Sequence, residues 1–319
     1  MSGDRTGEPA VWWRRLVLAA CLGSLLVVTW ALATGWGAVV HGHPAYAVAL
    51  AATAVGAALV AWRALRPPRH RTTLRWVTGV LLLVSGVAWV AFLAWARPFT
   101  AVEPALSAMG SDDTVEVSES ATRVVLRPTT EPSGTAVFFQ PGALVDARAY
   151  AAVLRPLAEA GHPVVIAKQP FGIAFLALGA FDGARTAYPE VSRWVVGGHS
   201  LGGTVASIEA DRADDDATAP AVGLLLFASY PASDVSTSLT AAVESVSGTE
   251  DGLATPDDIE ASRTTLPAGA VFTVVDGASH AQFGDYGPQP GDGTPTISDD
   301  EARTRISRAA IDFLGTLPG

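Results

Sequence analysis

No aspartate, glutamate, lysine or arginine occurs between Leu16 and Trp62, nor between Trp76 and Ala96, and these two stretches decide what the chain can fold into. A helix that crosses a bilayer needs about 20 such residues. The first stretch is long enough for two crossings, with Gly35, Gly37, Gly42 and Pro44 as the break between them. The sequence therefore predicts three transmembrane helices over about 16–34, 45–62 and 76–96. Trp12, Trp13, Trp36, Trp62, Trp76 and Trp95 stand near the ends of these runs, where amphipathic rings prefer the membrane interface.

Charge divides the chain at the same place. Residues 1–97 carry nine arginines and two acids, whereas residues 98–319 carry eleven arginines and Lys168 against 29 acids, so +7 and −17 give the total of −10. Arg63, Arg66, Arg69, Arg71 and Arg75 crowd the connection between the second and third runs, and Arg14 and Arg15 precede the first. Positive residues mark cytoplasmic loops, so the N-terminus and this connection are expected inside, a lipid bilayer is an expected partner, and the acidic part is expected on the extracytoplasmic side. Its charge excludes nucleic acid, whose phosphates it would repel. Two processing signals compete with the first span: Ala31-Leu32-Ala33 resembles a signal-peptidase site, and Leu18-Ala19-Ala20-Cys21 resembles a lipoprotein box, although the apolar run continues well past it. Cys21 is the only cysteine, so no intrachain disulfide forms.

Residues 98–112, with Pro98, Pro104, Gly110, Asp112 and Asp113, read as a linker to a domain over 113–319. Strand signals at 115–119, 122–127, 135–140, 163–168, 193–196, 222–227, 243–246 and 271–275 surround helical patterns at about 146–160, 171–184, 201–213, 256–264 and 299–314. Such alternation implies an α/β fold, a mostly parallel sheet with helices on both faces. Sites in these sheets lie at the carboxyl ends of the strands. Only Ser229 to Ala242 separate the strand after 201–213 from the next, too few for a helical cap domain. No internal repeat or glycine-rich phosphate loop occurs, and neither a metal nor another cofactor is expected.

The apolar run from Trp194 ends in Gly198-His199-Ser200-Leu201-Gly202. G-x-S-x-G between a strand and a helix puts the serine on a sharp turn with its hydroxyl clear of the backbone, which makes Ser200 the candidate nucleophile. A serine needs a base, a carboxylate to orient the base, and donors for the oxyanion. Of six histidines, His280 alone follows the last strand, in Gly277-Ala278-Ser279-His280, the place for a base on a flexible loop above the sheet. Asp251, after the 243–246 strand and flanked by Gly248 and Gly252, is the candidate acid in the chain order Ser, Asp, His. Glu250 is the alternative. Asp257 and Asp258 instead suit the first turn of a helix that Thr255 caps and Pro256 begins. The oxyanion donors are expected to be the N–H of Leu201 and, from the Pro141-Gly142-Ala143-Leu144 turn, that of Ala143, with Leu144 as the alternative.

These stretches resemble the α/β-hydrolase superfamily, and within it the small bacterial, membrane-anchored family-5 enzymes of the dienelactone-hydrolase-like kind. The resemblance covers about residues 113–316, and it is carried by Phe138-Phe139-Gln140-Pro141-Gly142 leading to Asp146 and Tyr150, by Gly198 to Gly203, and by Ser279 to Gly287. It implies the α/β-hydrolase fold and a Ser200, Asp251, His280 triad. Ala143 departs from the pattern, which implies a further glycine there. Dienelactone hydrolases proper use cysteine as nucleophile, so a serine points to an esterase. The expected activity is hydrolysis of small, easily reached carboxylic esters through an acyl-enzyme, at an open site rimmed by Phe171 to Phe175, Tyr230 and the loop Gly284 to Pro295, of which Phe171 and Tyr230 are the candidate substrate-binding residues. An acyltransferase with the same triad, or a non-catalytic membrane scaffold, are the alternatives.

Overall fold

The computed structural model describes residues 8–66 and 73–317. Arg69, His70 and Arg71 of the arginine-rich connection lie outside the described residues. The chain divides into two compact units at Arg97 and Pro98.

The first unit holds three helices, α1 (Glu8–His41), α2 (Pro44–Ala64) and α3 (Thr73–Trp95), each long and apolar enough to cross a membrane. Leu22, Leu26, Val55, Leu81, Leu82 and Val84 are each more than half exposed, more large apolar side chains than a water-soluble unit usually leaves uncovered. Between α2 and α3, the Tyr46 hydroxyl donates to the Leu93 carbonyl at 2.8 Å and Trp89 Nε1 donates to Thr53 Oγ1 at 2.9 Å. Gly35 departs from helical geometry (φ −139°, ψ 21°), a kink at which two helical stretches meet inside α1. The second stretch runs to His41, and Gly42 precedes Pro44 at the start of α2.

The second unit is built on one sheet of eight strands: β1 (Val115–Glu119), β2 (Arg123–Pro128), β3 (Thr135–Gln140), β4 (Val164–Ala167), β5 (Arg193–His199), β6 (Ala221–Phe227), β7 (Ala242–Gly248) and β8 (Val271–Val275). Their spatial order is β1-β2-β4-β3-β5-β6-β7-β8, antiparallel at the first two pairings and parallel at the rest. Five helices, α4 (Ala151–Glu159), α5 (Ala180–Ala187), α6 (Leu201–Ala213), α7 (Pro256–Ser262) and α8 (Asp299–Thr316), complete the unit. β3 and β5 are buried along almost their whole length, as strands covered on both faces must be. One core lies under α4 and α8, with Tyr150, Leu154, Leu157, Ile306 and Phe313 against Phe139 and Leu225. The other lies under α5 and α6, with Phe181, Ala206 and Ala210 against Phe138, Trp194 and Leu226. No helix interrupts residues 228–241 between β6 and β7, so the carboxyl ends of the central strands carry no cap from that connection.

Three expectations are corrected here. The strand expected at 193–196 runs on through Gly197, Gly198 and His199, because pairing with Phe139 and Gln140 on one side and Leu225 to Phe227 on the other holds residues of weak strand propensity. The helix expected over 171–184 begins only at Ala180; before it lie two short 3-10 turns, with Phe171 (φ 55°) and Gly172 (φ 66°) in left-handed geometry that interrupts a helix. The 98–112 stretch is not a free linker: Phe99 N–H donates to Leu144 O at 2.7 Å, Asp146 N–H to Phe99 O at 3.0 Å and Val102 N–H to Asp285 O at 2.9 Å, while Ala101 and Ala105 are buried. Those backbone pairings tie it to the loops that follow β3 and β8.

Candidate active site

Ser200 occupies the single residue between β5 and α6, at φ 52° and ψ −125°. That conformation is strained for any residue with a Cβ and persists only where its surroundings over-determine it. Here the Ser200 N–H donates to Phe227 O at 3.0 Å, and its carbonyl accepts the Ser229 hydroxyl at 2.6 Å and the Gly203 N–H at 2.9 Å. The turn also needs a glycine at 202, since a Cβ there would collide with the carbonyls of Gln140 and Pro141. The Ser200 side chain is half-buried and makes no hydrogen bond among the described residues.

Asp251 follows β7 and His280 follows β8. The structure brings them together: His280 Nδ1 lies 2.8 Å from Asp251 Oδ2, and both side chains are buried. The other carboxylate oxygen of Asp251 accepts the N–H groups of Leu253 and Ala254, each at 2.8 Å. With its Nδ1 side committed, His280 keeps Nε2 buried and without a partner among the described residues. Its ring centroid is 4.5 Å from that of His199, the neighbour of Ser200 in the chain. No hydrogen bond joins Ser200 to His280. Glu250 has no such place; the partner of His280 is Asp251.

The flexible loop expected to carry His280 is a one-turn 3-10 helix, His280–Phe283, closed by a capping box between Ser279 and Gln282. Its backbone is fixed by a carboxylate from the Gly284–Pro295 loop, expected from the sequence only to rim the site. Asp292 accepts the N–H groups of His280 (3.1 Å) and Ala281 (2.8 Å) and also that of Gly252 (3.1 Å), so one carboxylate joins the loop of the acid to the loop of the base. Burial alone would raise the Asp292 pKa, but these donors hold it below the ordinary value. The only sequence hint was its position between Gly291 and Gly293.

The loop after β3 has three amide donors in a row, at Gly142, Ala143 and Leu144. Gly142 N–H donates to the Tyr150 hydroxyl at 2.8 Å, and Leu144 N–H to Gly172 O at 2.8 Å. Among the described residues the Ala143 N–H has no acceptor, and neither has that of Leu201 at the start of α6. Both residues are half-buried. Behind the loop, Gln140 Nε2 donates to both oxygens of Glu209 at 3.1 Å, and Gln169 Nε2 donates to Gln140 Oε1 at 3.0 Å and Pro141 O at 2.9 Å. At the rim, Phe175 and Leu176 are exposed, Phe171 is half-buried, and Tyr230 is 37% exposed with its carbonyl accepting Thr204 Oγ1.

A parallel sheet with a serine at a strained strand-to-helix turn, and a carboxylate–imidazole pair at later strand ends, defines the scaffold of a hydrolase. Residues 136–304, more than half of the chain, match the Alpha/beta hydrolase family, and the chain belongs to it. Solved structures similar to it include a thermostable esterase from Pseudomonas putida ECU1011, at 17% identity over 67% of this chain and 88% of that one with a TM-score of 0.46. The hyperthermophilic esterase from Pyrobaculum calidifontis is 16% identical over 66% and 89%, with a TM-score of 0.46. A dienelactone hydrolase-like promiscuous phosphotriesterase from metagenomic libraries is 19% identical over 64% and 97%, also with a TM-score of 0.46. No curated protein matches the chain.

Proposed function

We propose that this chain is a membrane-anchored serine hydrolase of carboxylic esters. The observation that carries the reading is the buried Asp251–His280 pair, whose free Nε2 belongs to a ring packed against the residue preceding Ser200. In the reaction, Ser200 Oγ attacks the ester carbonyl carbon as its proton passes to His280 Nε2. Asp251 fixes the tautomer through Nδ1 and stabilises the imidazolium that forms. The oxyanion is received by the Leu201 and Ala143 N–H groups. Collapse expels the alcohol, which takes the proton from Nε2, and water then releases the acid by the same steps in reverse. The three apolar helices anchor the enzyme in the bilayer, and the arginine distribution supports an extracytoplasmic hydrolase domain.

The test is labelling by a fluorophosphonate, which phosphonylates Ser200 Oγ with loss of fluoride. A modified peptide containing Ser200, abolished by His280→Ala, supports the reading; an unlabelled Ser200 in a folded protein overturns it and favours a silent scaffold. Partition of the acyl group between water and added alcohols separates a hydrolase from an acyltransferase. The uncapped site and the exposed Tyr230 support small esters. Tyr230→Ala is expected to raise KM for p-nitrophenyl butyrate about three- to tenfold with kcat within about twofold, the signature of lost uniform binding. A change confined to kcat would remove Tyr230 from the binding rim.

A further inference from the structure

The loop that carries Ala143 and the turn that carries Ser200 are joined beneath the site by one hydroxyl. Tyr150, fully buried just before α4, accepts the Gly142 N–H at 2.8 Å, and the same oxygen lies 2.8 Å from Nδ1 of the equally buried His199. The approach is close enough that a Cβ at position 142 would stand 2.7 Å from His199 Nδ1 and 3.1 Å from the Tyr150 oxygen.

The direction of these bonds follows from their chemistry. Burial, and then the neighbouring His280, push the His199 pKa well below its ordinary value, and burial pushes the Tyr150 phenol up, so both are neutral. Among the described residues the hydroxyl has two partners, one of them the Gly142 donor. Its own proton therefore goes to His199 Nδ1, and the imidazole proton sits on Nε2. The His280 backbone carbonyl favours a proton on His199, and no hydrogen bond of ordinary length reaches Nε2. The bonds thus run from Gly142 through Tyr150 to His199.

We infer that Tyr150 and His199 are positioning residues for the oxyanion: the Tyr150 hydroxyl, oriented by His199, engages the Gly142 N–H and holds the following peptide so that the Ala143 N–H is the one presented to the reacting carbonyl. The inference rests on the ester-hydrolase reading and goes beyond the triad and its donors. Gly142 is engaged by Tyr150 and Leu144 by Gly172 O, which leaves the intervening amide free. Loss of the hydroxyl frees the Gly142 peptide to rotate and takes the Ala143 donor off its line, while Ser200, Asp251 and His280 keep their places.

The experiment uses the full chain in detergent. Tyr150→Phe keeps the ring and deletes the hydroxyl; kcat for p-nitrophenyl acetate is expected to fall about 10- to 100-fold, short of the 10²–10³ for complete loss of an oxyanion donor, with KM within about twofold. Affinity for a trifluoromethyl ketone, which forms the tetrahedral adduct, is expected to fall by the same factor. His199→Leu is expected to match it, His199→Asn, which offers an acceptor near Nδ1, to recover to within about threefold of wild type, and the double variant Tyr150→Phe/His199→Leu to be no worse than either single change, as residues of one network are. Additive losses, or a Tyr150→Phe enzyme with unchanged kcat and unchanged ketone affinity, would overturn the inference. Wild-type protein without activity on any ester would instead overturn the ester-hydrolase reading beneath it.

Discussion

Replacing Ser200 by alanine is expected to lower kcat for p-nitrophenyl acetate by about three to six orders of magnitude, the range in which loss of a triad nucleophile falls, and to leave thermal unfolding almost unchanged. The two halves have separate physical grounds. The backbone strain at φ 52° is borne equally by alanine, and every hydrogen bond that holds the turn, to Phe227 O, from Ser229 Oγ and from Gly203 N–H, is made by main-chain atoms of residue 200. Because Oγ has no partner among the described residues, its removal orphans no buried group, the usual source of large destabilisation; the change in stability should stay within about 0.5 kcal/mol. Chemistry has no such substitute. With the hydroxyl gone there is no acyl acceptor on the enzyme, and His280→Ala in the same chain should add little, since residues that act as a unit are non-additive. Initial rates at matched concentrations of folded protein check this, and turnover within tenfold of wild type would show that the acyl group is carried elsewhere or not at all.

How much of this was legible in the chain depends on how local each determinant is. The β5–Ser200–α6 turn and the three apolar helices are written in contiguous stretches of the chain. Asp251 and His280 are 29 residues apart, yet each follows its own strand, and the parallel pairing of those two strands sets them side by side. The helix expected at 171–184 failed because apolar residues at helical spacing are compatible with 3-10 turns, and only the left-handed pair at Phe171 and Gly172 decides between them. The packing of Phe99 against Leu144 and Asp146, and the stapling of two loops by Asp292, depend on which surfaces meet after folding, and no local pattern encodes that. The same holds for Gln140 and Glu209, 69 residues apart in sequence and within hydrogen-bond distance in space.

Glu209→Gln is expected to stabilise the protein by an amount that grows with pH, from almost nothing below pH 4.5 to its largest value above pH 8. The carboxyl of Glu209 is 3% exposed on α6. Burial lifts its pKa from 4.5 to about 8; the Gln140 amide, the Phe181 N–H and Arg212 pull it down, and Asp182 pushes it up. In the unfolded chain this acid loses its proton near pH 4.5, whereas in the folded protein it keeps the proton until about pH 8, so across that window folding takes up a proton. The stability contributed by the protonated, buried acid is fully present below pH 4.5 and is lost as pH rises through about 8. At pH 7 the loss amounts to about 3 kcal/mol, at 1.36 kcal/mol per unit of pKa difference. Glutamine keeps the shape and a neutral amide at all pH values and so escapes the loss. Unfolding of both proteins in detergent between pH 5 and pH 8 measures it, and a wild-type-to-variant difference that stays flat across that range would show that Glu209 is ionised in the folded state. Activity at pH 7 should stay within about threefold, because the acid there is already neutral and the substitution preserves a neutral partner for Gln140, the residue from which β3 passes into the Pro141–Ala143 loop. A gain in stability without a loss of turnover at pH 7, followed above pH 8 by wild-type activity that falls while the variant's does not, would place the titration of Glu209 in the support of that loop, outside the chemistry at Ser200.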